Sequence, residues 1–397
     1  MRKKYLAFVL LSLLPLGFWC ACAPFSGPRQ VGTQLFTDAD LQTPHIIRGT
    51  PGISKQEFYH NQDSSFITDI AAGELDGSPG VDVVITKMKS AVFLDGNGQP
   101  KREIAYTCPT LPKNQNQKLS FWKVKVADIE KDGVCEFWAA DTGKEYTLLD
   151  NQGKLLFCNC DKNNQLKPDA LKKRLLATTS ITTGDLDGDG KQELIGFGGD
   201  RLRAFNGKGE MVIDQDVTPN ATVNLRAFDT NGDGKDEILY ARGGVSFLDS
   251  KGQNEKRLTR PEWASGSLLE SGETPKTLVF AKNRLNLLDY NGNLSASYEA
   301  PYLIEGKKWQ EIVIADALKV RFYSNQPKCL AVLADLTEVD KSLLYIYAPD
   351  GKLMYQELLS MDRIRNLEFH AAALPKDDGA ESLLLVSGDT VLQYTIK

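Results

Sequence analysis

The feature that most constrains this chain is a nine-residue loop, Asp185-Leu-Asp-Gly-Asp-Gly-Lys-Gln-Glu193. Its first, third, fifth and ninth positions are carboxylates, and its sixth is glycine. Carboxylates at alternate positions can converge on one hard cation, and glycine permits the sharp turn that this requires. The carbonyl of Lys191 can add another oxygen. We therefore predict a calcium site formed by Asp185, Asp187, Asp189, Lys191 and Glu193.

The same arrangement recurs 44 residues later, between positions 229 and 237. Asp229, Asn231, Asp233, the carbonyl of Lys235 and Glu237 occupy the corresponding places. A solvated acidic turn does not explain the same alternation twice. We therefore predict a second calcium site with these five residues.

These loops are not EF-hands, because an EF-hand needs a bidentate glutamate at position twelve between two helices. That position is Gly196 in the first loop and Tyr240 in the second. The flanking residues are short apolar runs, such as Ile238-Leu-Tyr240, which are typical of strands. Each loop is therefore predicted to connect two strands.

Degenerate copies of the loop occur along most of the chain. A third candidate site has acidic residues at the same four positions, namely Asp128, Glu130, Asp132 and Glu136. No ion is predicted between Glu74 and Asp82, where Ser78 occupies the fifth position. Weaker copies lie at 268–277, 335–344 and 374–383. We count seven units.

A second repeated element follows six of the seven loops. It is a hydrophobic run ending in an Asx-Gly type of turn, and such residues tolerate the left-handed backbone of hairpins. These turns lie at 94–98, 149–153, 205–209, 248–252, 288–292 and 347–351. The last unit runs through Val391–Tyr394, and the chain stops where its turn should begin.

The repeat resembles the FG-GAP or VCBS repeat, the calcium-loop blade of integrin-type β-propellers and of many bacterial surface proteins. The resemblance covers nearly all of the chain after its first 34 residues and is strong between Gly73 and Gly252. It implies an all-β fold, a seven-bladed β-propeller of four-stranded antiparallel blades. The N-terminal strand is expected to pair with the last blade, so that Leu35–Asp40 and His45–Ile47 complete it and leave no open edge.

The first residues have the composition of a secretory signal, with a basic start followed by an apolar run from Tyr5 to Trp19. We predict a signal peptide at 1–22, a tether at 23–34 and a propeller at 35–397. Lipid modification at Cys22 is favoured over ordinary cleavage near Ala23, because Pro24 should hinder the latter. The protein is then expected to be exported, as an outer-membrane or cell-surface lipoprotein or as a periplasmic protein.

Five cysteines lie beyond the signal, so at least one is unpaired in a monomer. Cys158 and Cys160 are too close for an easy mutual bridge, but either can pair with Cys108 or Cys135. A metal site at Cys158 and Cys160 would need two further soft ligands and is disfavoured.

The sequence contains no convincing set of a nucleophile, a base and an acid, and its net charge of -5 argues against a nucleic-acid partner. The predicted function is non-catalytic: a monomeric calcium-binding propeller that presents a rigid loop surface to an envelope protein or glycan. Its contact with the membrane would be through a lipid anchor alone. The alternative is a carbohydrate-active enzyme of the polysaccharide-lyase type.

Two excursions from the repeat are the candidate binding surfaces, namely 159–173 and 295–328. Trp309, in the second excursion, is a candidate surface aromatic, whereas Trp122 and Trp138 lie in strand-like runs and are predicted to be core residues.

Overall fold

The structure is a computed structural model. It describes residues 45–63, 65–75, 81–87, 90–105, 123–140, 146–158, 179–198, 201–216, 224–241, 245–258, 265–269, 276–281, 284–301, 312–336, 341–360 and 370–396. Several predictions from the sequence lie outside these residues: the signal peptide (1–22), the tether (23–34), Leu35–Asp40, the excursion at 159–173, Cys108, Cys160, Trp122 and Trp309.

In the described part of the chain, 29 strands form seven antiparallel sheets, which we number as blades 1 to 7 in chain order. From the innermost strand outward, blade 1 contains β3 (Ile67–Gly73), β4 (Asp82–Lys87), β5 (Ser90–Leu94) and β6 (Pro100–Ile104), and blade 2 contains β7 (Lys123–Ala127), β8 (Glu136–Ala140), β9 (Tyr146–Leu149) and β10 (Leu155–Cys158). Blade 3 contains β11 (Thr179–Gly184), β12 (Glu193–Gly198), β13 (Arg201–Phe205) and β14 (Met211–Asp216). Blade 4 contains β15 (Asn224–Phe228), β16 (Glu237–Ala241), β17 (Val245–Leu248) and β18 (Lys256–Leu258). Blade 5 contains β19 (Ser265–Leu269), β20 (Lys276–Ala281), β21 (Arg284–Leu288) and β22 (Leu294–Glu299). Blade 6 contains β23 (Ile312–Val320), β24 (Cys329–Leu336), β25 (Lys341–Tyr347), β26 (Leu353–Ser360) and β1 (His45–Arg48). Blade 7 contains β27 (Ala371–Pro375), β28 (Glu381–Ser387), β29 (Thr390–Ile396) and β2 (Ile53–His60).

The blades form a closed ring. The innermost strand of each blade contacts the innermost strands of the blades before and after it, and β27 of blade 7 contacts β3 of blade 1. The protein is therefore a seven-bladed β-propeller, as predicted. Among the described residues, no helix is long and apolar enough to cross a membrane.

The hydrophobic core is divided among the junctions between blades, with one cluster at each of the seven junctions. Between blades 2 and 3, for example, Trp138 is fully buried and stacks on Tyr146 at 5.3 Å between ring centroids. Gly196 of blade 3 lies against this ring, because a Cβ there would be 2.2 Å from Cε1 of Tyr146. The prediction that Trp138 is a core residue is confirmed, and Gly196 is required by the close approach.

The six predicted Asx-Gly turns are all confirmed as connections between the third and fourth strands of a blade. In the first, the Gly98 N–H donates to the Asp95 carbonyl at 3.0 Å, and the other five repeat this bond. The glycines of these turns have φ between 75° and 86°, a conformation that side chains other than glycine rarely adopt. Blade 7 has no such turn, because its outer strand comes from the N-terminus.

The ring is closed by the N-terminal part of the chain, but by a different segment from the one expected. Ile53–His60 (β2) pairs with β29 and completes blade 7. His45–Ile47 instead belongs to β1, which extends blade 6 as a fifth strand beside β26. The physical reason is that Phe58 of β2 is buried in the cluster between blades 7 and 1, whereas β1 leaves Ile46 54% exposed.

The predicted loop at 335–344 is also wrong. Leu336 ends β24 and Lys341 begins β25, so this segment is a hairpin between the second and third strands of blade 6. The loop after the first strand is the segment 321–328, within the predicted excursion at 295–328. The spacing of acidic residues was misleading because Asp335 lies at the hairpin, where its carboxylate accepts a hydrogen bond from Oγ of Ser342 at 2.5 Å.

The described cysteines test part of the predicted disulfide pairing. Cys158 is in a disulfide bond, whereas Cys135 and Cys329 are free thiols. Cys135 is therefore not the partner of Cys158, and that half of the prediction is wrong.

A buried carboxylate fastens the closing strand to blade 6. Glu357 of β26 is 3% exposed, and its Oε1 accepts a bond from Nζ of Lys55 in β2 at 2.6 Å. Its Oε2 accepts bonds from the hydroxyls of Tyr355 and Tyr394, each at 2.9 Å. Both carboxylate oxygens are therefore satisfied where blade 6, blade 7 and the N-terminal strand meet.

We expect Glu357→Ala to lower the free energy of unfolding by about 3 kcal/mol, because it leaves one cation and two buried hydroxyls without their acceptor. Chemical denaturation at neutral pH measures this change. Glu57→Ala, which removes an exposed glutamate from the closing strand, is the control and should change the free energy by less than about 0.5 kcal/mol. Equal effects of the two substitutions would show that Glu357 does not fasten the closing strand.

Candidate metal site

Three of the predicted loops each connect the first and second strands of one blade. The three blades are neighbours, and the loops lie at the same end of each. We call them loop 2 (128–136), loop 3 (185–193) and loop 4 (229–237), after the blades to which they belong. Their first residues follow β7, β11 and β15, and their last residues begin β8, β12 and β16. The interpretation that each loop lies between two strands is confirmed.

Loop 3 brings three carboxylates together. One oxygen each from Asp185, Asp187 and Glu193 lies within 4.8 Å of the other two, a spacing that could hold a metal ion. Asp189 is not part of this group, and its Oδ1 accepts a bond from the Lys191 N–H at 2.8 Å. The structure therefore gathers the first, third and ninth positions of the predicted set.

The backbone of loop 3 is shaped by its own carboxylates. Asp185 accepts bonds from the N–H groups of Gly188 and Gly190, at 2.7 and 2.8 Å. Both glycines have positive φ, 82° and 90°, which explains the alternation of glycine and aspartate in the sequence. Glu193 Oε2 accepts the N–H of Leu186 at 2.7 Å. The turn is thus formed by hydrogen bonds to two of the carboxylates that converge in the group, those of Asp185 and Glu193.

This arrangement raises the proton affinity of Glu193. Burial, and then the negative charges of Asp187, Asp185 and Asp189, raise the pKa of Glu193 to about 7, although the bond from the Leu186 N–H acts in the opposite direction. A buried carboxylate with this pKa lacks a compensating positive charge. A cation among the three carboxylates would supply it.

Loop 4 repeats the backbone pattern. Asp229 accepts bonds from the N–H groups of Gly232 and Gly234, at 2.6 and 2.9 Å. Burial would raise the pKa of Asp229, but the bonds from the backbone N–H groups of Gly234 and Gly232 outweigh it and lower the pKa. Glu237 Oε2 accepts the Thr230 N–H at 2.8 Å, as Glu193 accepts that of Leu186.

The two loops differ at their third position. Asn231 donates from Nδ2 to Oε1 of Glu237 at 2.9 Å, whereas Asp187 can offer only oxygens. Oδ1 of Asn231 is the single oxygen that this side chain can give to a cation. The predicted ligand set of loop 4 therefore carries one negative charge fewer than that of loop 3, with Asp233 at its fifth position as the equivalent of Asp189.

Loop 2 has the acidic residues but does not gather them. Asp128 accepts bonds from the N–H groups of Asp132 and Gly133, both at 2.9 Å, and Glu136 accepts that of Ile129 at 2.8 Å. Glu130, however, forms an ion pair with Lys191 of loop 3. Among the described residues, only loop 3 forms a group of three acidic ligands.

Neighbouring loops are joined by main-chain hydrogen bonds. The residue at position eight of one loop donates to the beginning of the loop before it: Cys135 to Glu74 at 3.1 Å, Gln192 to Ile129 at 3.1 Å and Asp236 to Asp185 at 2.8 Å. The loops of blades 1 to 4 therefore form a continuous chain along one end of the ring.

A buried polar group was missed at the sequence level. Nζ of Lys123 (β7) lies 2.7 Å from Nε2 of His370, and Nδ1 of His370 lies 3.1 Å from Oδ1 of Asp69 (β3). Burial, then the positive charges of Lys123, Lys125 and Arg226, hold the pKa of His370 well below its usual range. The imidazole is therefore neutral, accepts from Lys123 and donates to Asp69.

This group joins blades 7, 1 and 2 across the ring closure. The other oxygen of Asp69 accepts the Val124 N–H of blade 2 at 2.8 Å. Burial raises the pKa of Asp69 to about 6, although the nearby Lys123 acts to lower it. Glu74, where the first loop begins, lies five positions after Asp69, which is about 16 Å in an extended chain. The group is therefore distant from the loop end of the ring.

The raised pKa of Glu193 predicts an unusual pH dependence of stability when a chelator keeps the protein free of metal. Between pH 4.5 and about 7, the folded protein holds a proton at Glu193 that the unfolded chain does not. The contribution of Glu193 to stability is therefore fully present below pH 4.5 and is lost as the pH rises to about 7.

Thermal unfolding across this pH range tests the effect. We expect Glu193→Gln to remove this component of the pH dependence, whereas Glu57→Gln, an exposed control, leaves it unchanged. An identical pH profile for the native protein and Glu193→Gln would contradict the assignment.

Comparison with known proteins supports the fold and not a family. No protein-family model matches the sequence, and no curated protein matches it. The structure is similar to a chain in the crystal structure of BBS1N in complex with ARL6DN, soaked with lead, with a TM-score of 0.57 and 12% identity over 88% of this chain and 98% of that chain.

Two further solved structures have the same architecture. The WD40 domain of Pan2 from Neurospora crassa has a TM-score of 0.53 and 10% identity, over 88% of this chain and 97% of that chain. A chain of the mitotic checkpoint complex has a TM-score of 0.53 and 11% identity, over 100% of this chain and 99% of that chain. At these identities the similarity establishes the β-propeller fold alone, and the FG-GAP or VCBS type of repeat stays a prediction.

Proposed function

We propose that this protein is a non-catalytic, calcium-binding β-propeller of the cell envelope that presents a rigid loop surface to a protein or glycan. The observation that carries the proposal is the convergence of Asp185, Asp187 and Glu193 within 4.8 Å at the end of blade 3.

The donor set favours calcium. Every predicted ligand in loops 3 and 4 is a carboxylate, amide or carbonyl oxygen, which suits hard cations and not zinc or copper. Calcium accepts irregular arrangements of oxygens from a flexible loop, whereas magnesium demands near-ideal octahedral geometry. Asp185, Asp187 and Glu193 would hold an ion in loop 3, and Asp229, Asn231 and Glu237 would hold one in loop 4. Bound calcium would supply the positive charge that Glu193 lacks.

A role in binding a partner is supported by the shape of the ring. A cleft of about 550 Å³ lies between blades 7 and 1. Its walls include Glu57 and Gln393 of blade 7 and Asn97 of blade 1, with Phe58 and Leu374 among the apolar residues. Such a mixture of amides, carboxylates and apolar surface suits a peptide or a sugar. Two of the similar solved structures are described as complexes, which is consistent with a protein partner.

The envelope location is supported by the N-terminal sequence. Met1–Lys4 and the apolar run after it have the pattern of an export signal, and Cys22 is placed for lipid modification. Outside the cytoplasm, calcium is plentiful enough to fill sites with dissociation constants near 10⁻⁴ M. Cys158, in a disulfide bond, is consistent with an oxidising compartment.

The alternative of a polysaccharide-lyase type of enzyme requires basic residues that converge beside a metal with an open position. In the described part of the chain, Lys123 is instead hydrogen-bonded to His370, and His370 to Asp69. Asp69 is about 16 Å from the loops along an extended chain. Lys191, a basic residue of loop 3 itself, is paired with Glu130. These contacts favour the non-catalytic proposal.

Calcium titration by calorimetry, together with thermal unfolding, tests the proposal. We expect the purified protein to bind at least two ions, each adding about 1.4 kcal/mol of stability at 1 mM calcium if its dissociation constant is about 10⁻⁴ M. The double variant Asp187→Ala, Asn231→Ala should lose both the binding and the added stability. Magnesium at the same concentration should give a smaller effect.

The matched control is Asp377→Ala, which removes an exposed carboxylate from the corresponding loop of blade 7. This variant should bind calcium as the native protein does. If calcium neither binds to nor stabilises the native protein, or if the double variant still binds two ions, the proposed metal sites are wrong.

A further inference from the structure

One side chain connects the two candidate calcium loops. Asp236 occupies the eighth position of loop 4, between Lys235 and Glu237, but its carboxylate reaches loop 3. Its Oδ2 accepts the N–H of Asp185 at 2.8 Å, and its own N–H donates to the carbonyl of Asp185 at 2.8 Å. Asp185 is the first residue of loop 3, and both of its main-chain polar groups are therefore held by Asp236.

The surrounding packing keeps this contact tight. Gly184 precedes Asp185, and a Cβ on it would lie 2.4 Å from Cβ of Ala227 and 3.0 Å from Oδ2 of Asp236. A Cβ on Gly188 would lie 3.3 Å from the carbonyl of Gly234. Blades 3 and 4 are thus in close contact at two places beside the loops, and at Gly184 only glycine fits without displacing Ala227.

The charge of this side-chain contact is particular to loops 3 and 4. Cys135 and Gln192 occupy the eighth position of loops 2 and 3, and each donates its main-chain N–H to the preceding loop. The Cys135 thiol also bonds to the main chain of Glu74, but sulfur is a weak hydrogen-bonding partner. Asp236 adds a charged acceptor to the shared main-chain bond, and charged acceptors form the stronger hydrogen bonds.

We propose that Asp236 couples calcium binding in loop 4 to calcium binding in loop 3, an inference that rests on the proposed calcium sites. An ion in loop 4 fixes the backbone from Lys235 to Glu237 and therefore the position of Asp236. Asp236 in turn fixes Asp185, which provides a ligand of loop 3. The second ion then binds to loop 3 when this loop is already ordered. Binding of the second ion therefore costs less conformational entropy, and the two ions bind cooperatively.

Repulsion between the two ions does not cancel this effect. Loop 3 carries four carboxylates, at Asp185, Asp187, Asp189 and Glu193, and one lysine, Lys191. Loop 4 also carries four, at Asp229, Asp233, Asp236 and Glu237, and one lysine, Lys235. Each loop therefore keeps a net negative charge after it binds a divalent cation, and the Asp236 carboxylate lies between the loops. Asp236 acts as a positioning residue and is not itself a ligand.

A double-mutant cycle measured by calcium calorimetry tests the coupling. Asn231→Ala combined with Asp233→Ala empties loop 4, so that the remaining binding reports the affinity of loop 3. We expect this affinity to be at least about fivefold weaker than in the native protein. Emptying loop 3 with Asp187→Ala should weaken loop 4 by the same factor, because coupling free energies are reciprocal. Local damage to one loop has no reason to produce this symmetry.

The role of Asp236 is isolated by two substitutions. Asp236→Ala removes the acceptor for the Asp185 N–H, and in this background emptying loop 4 should leave the affinity of loop 3 unchanged. Asp236→Asn keeps an oxygen acceptor and the main-chain bond, and it should retain the coupling. Thermal unfolding in a chelator checks that both variants are folded.

If the native protein binds two ions independently, or if Asp236→Ala keeps the native coupling, the inference is overturned while the calcium sites stand. If the native protein binds no calcium, the proposed function and the inference both fail. If only Asp236→Asn among the two variants behaves as the native protein does, the coupling depends on the oxygen acceptor, as proposed.

Discussion

The pairing of β2 with β29 is the interaction on which the rest of the ring depends. Each hydrophobic cluster lies between two blades, so a blade is buried only when both of its neighbours are present. Without the closing strand, the cluster between blades 7 and 1 would lose Phe58, and β29 would present an open edge. Seven residue pairs hold β2 in place, and its Phe58 fills the cluster between those two blades.

Buried polar contacts are concentrated where the ring closes. Glu357 links β2 to blades 6 and 7 through Lys55 and two tyrosines, and His370 links blades 7, 1 and 2 through Lys123 and Asp69. The junctions among blades 1 to 4 are also joined by the main chain of their loops, together with the Glu130–Lys191 ion pair and the Asp236 carboxylate. Covalent continuity already holds consecutive blades together, whereas the junction between the first and last blades must be specified by side chains. Buried, fully bonded polar groups specify a unique partner better than apolar contact does.

The sequence predicts what depends on local chemistry. The Asx-Gly turns and the loops between strands follow from residues within a few positions of one another, so the number of blades could be counted from them. The closing strand could not be identified this way, because the middle of β2 is the polar run Lys55-Gln-Glu57 and its partner is more than 300 residues away. The Asp69, Lys123 and His370 group has no local spacing at all, since each residue comes from a different blade. The diversion of Glu130 to Lys191 likewise depends on the neighbouring blade.

The fifth strand of blade 6 has a mechanical consequence. Because β1 precedes β2 in the chain, tension on the chain before His45 reaches β1 before it reaches the closing strand. Only three residue pairs join β1 to β26, against seven between β2 and β29. Under load, β1 would separate from β26 first and its residues would extend, while β2 stayed paired with β29 and the ring remained closed. For a protein held by its N-terminal end, such a strand would act as a strain relief between the point of attachment and the propeller.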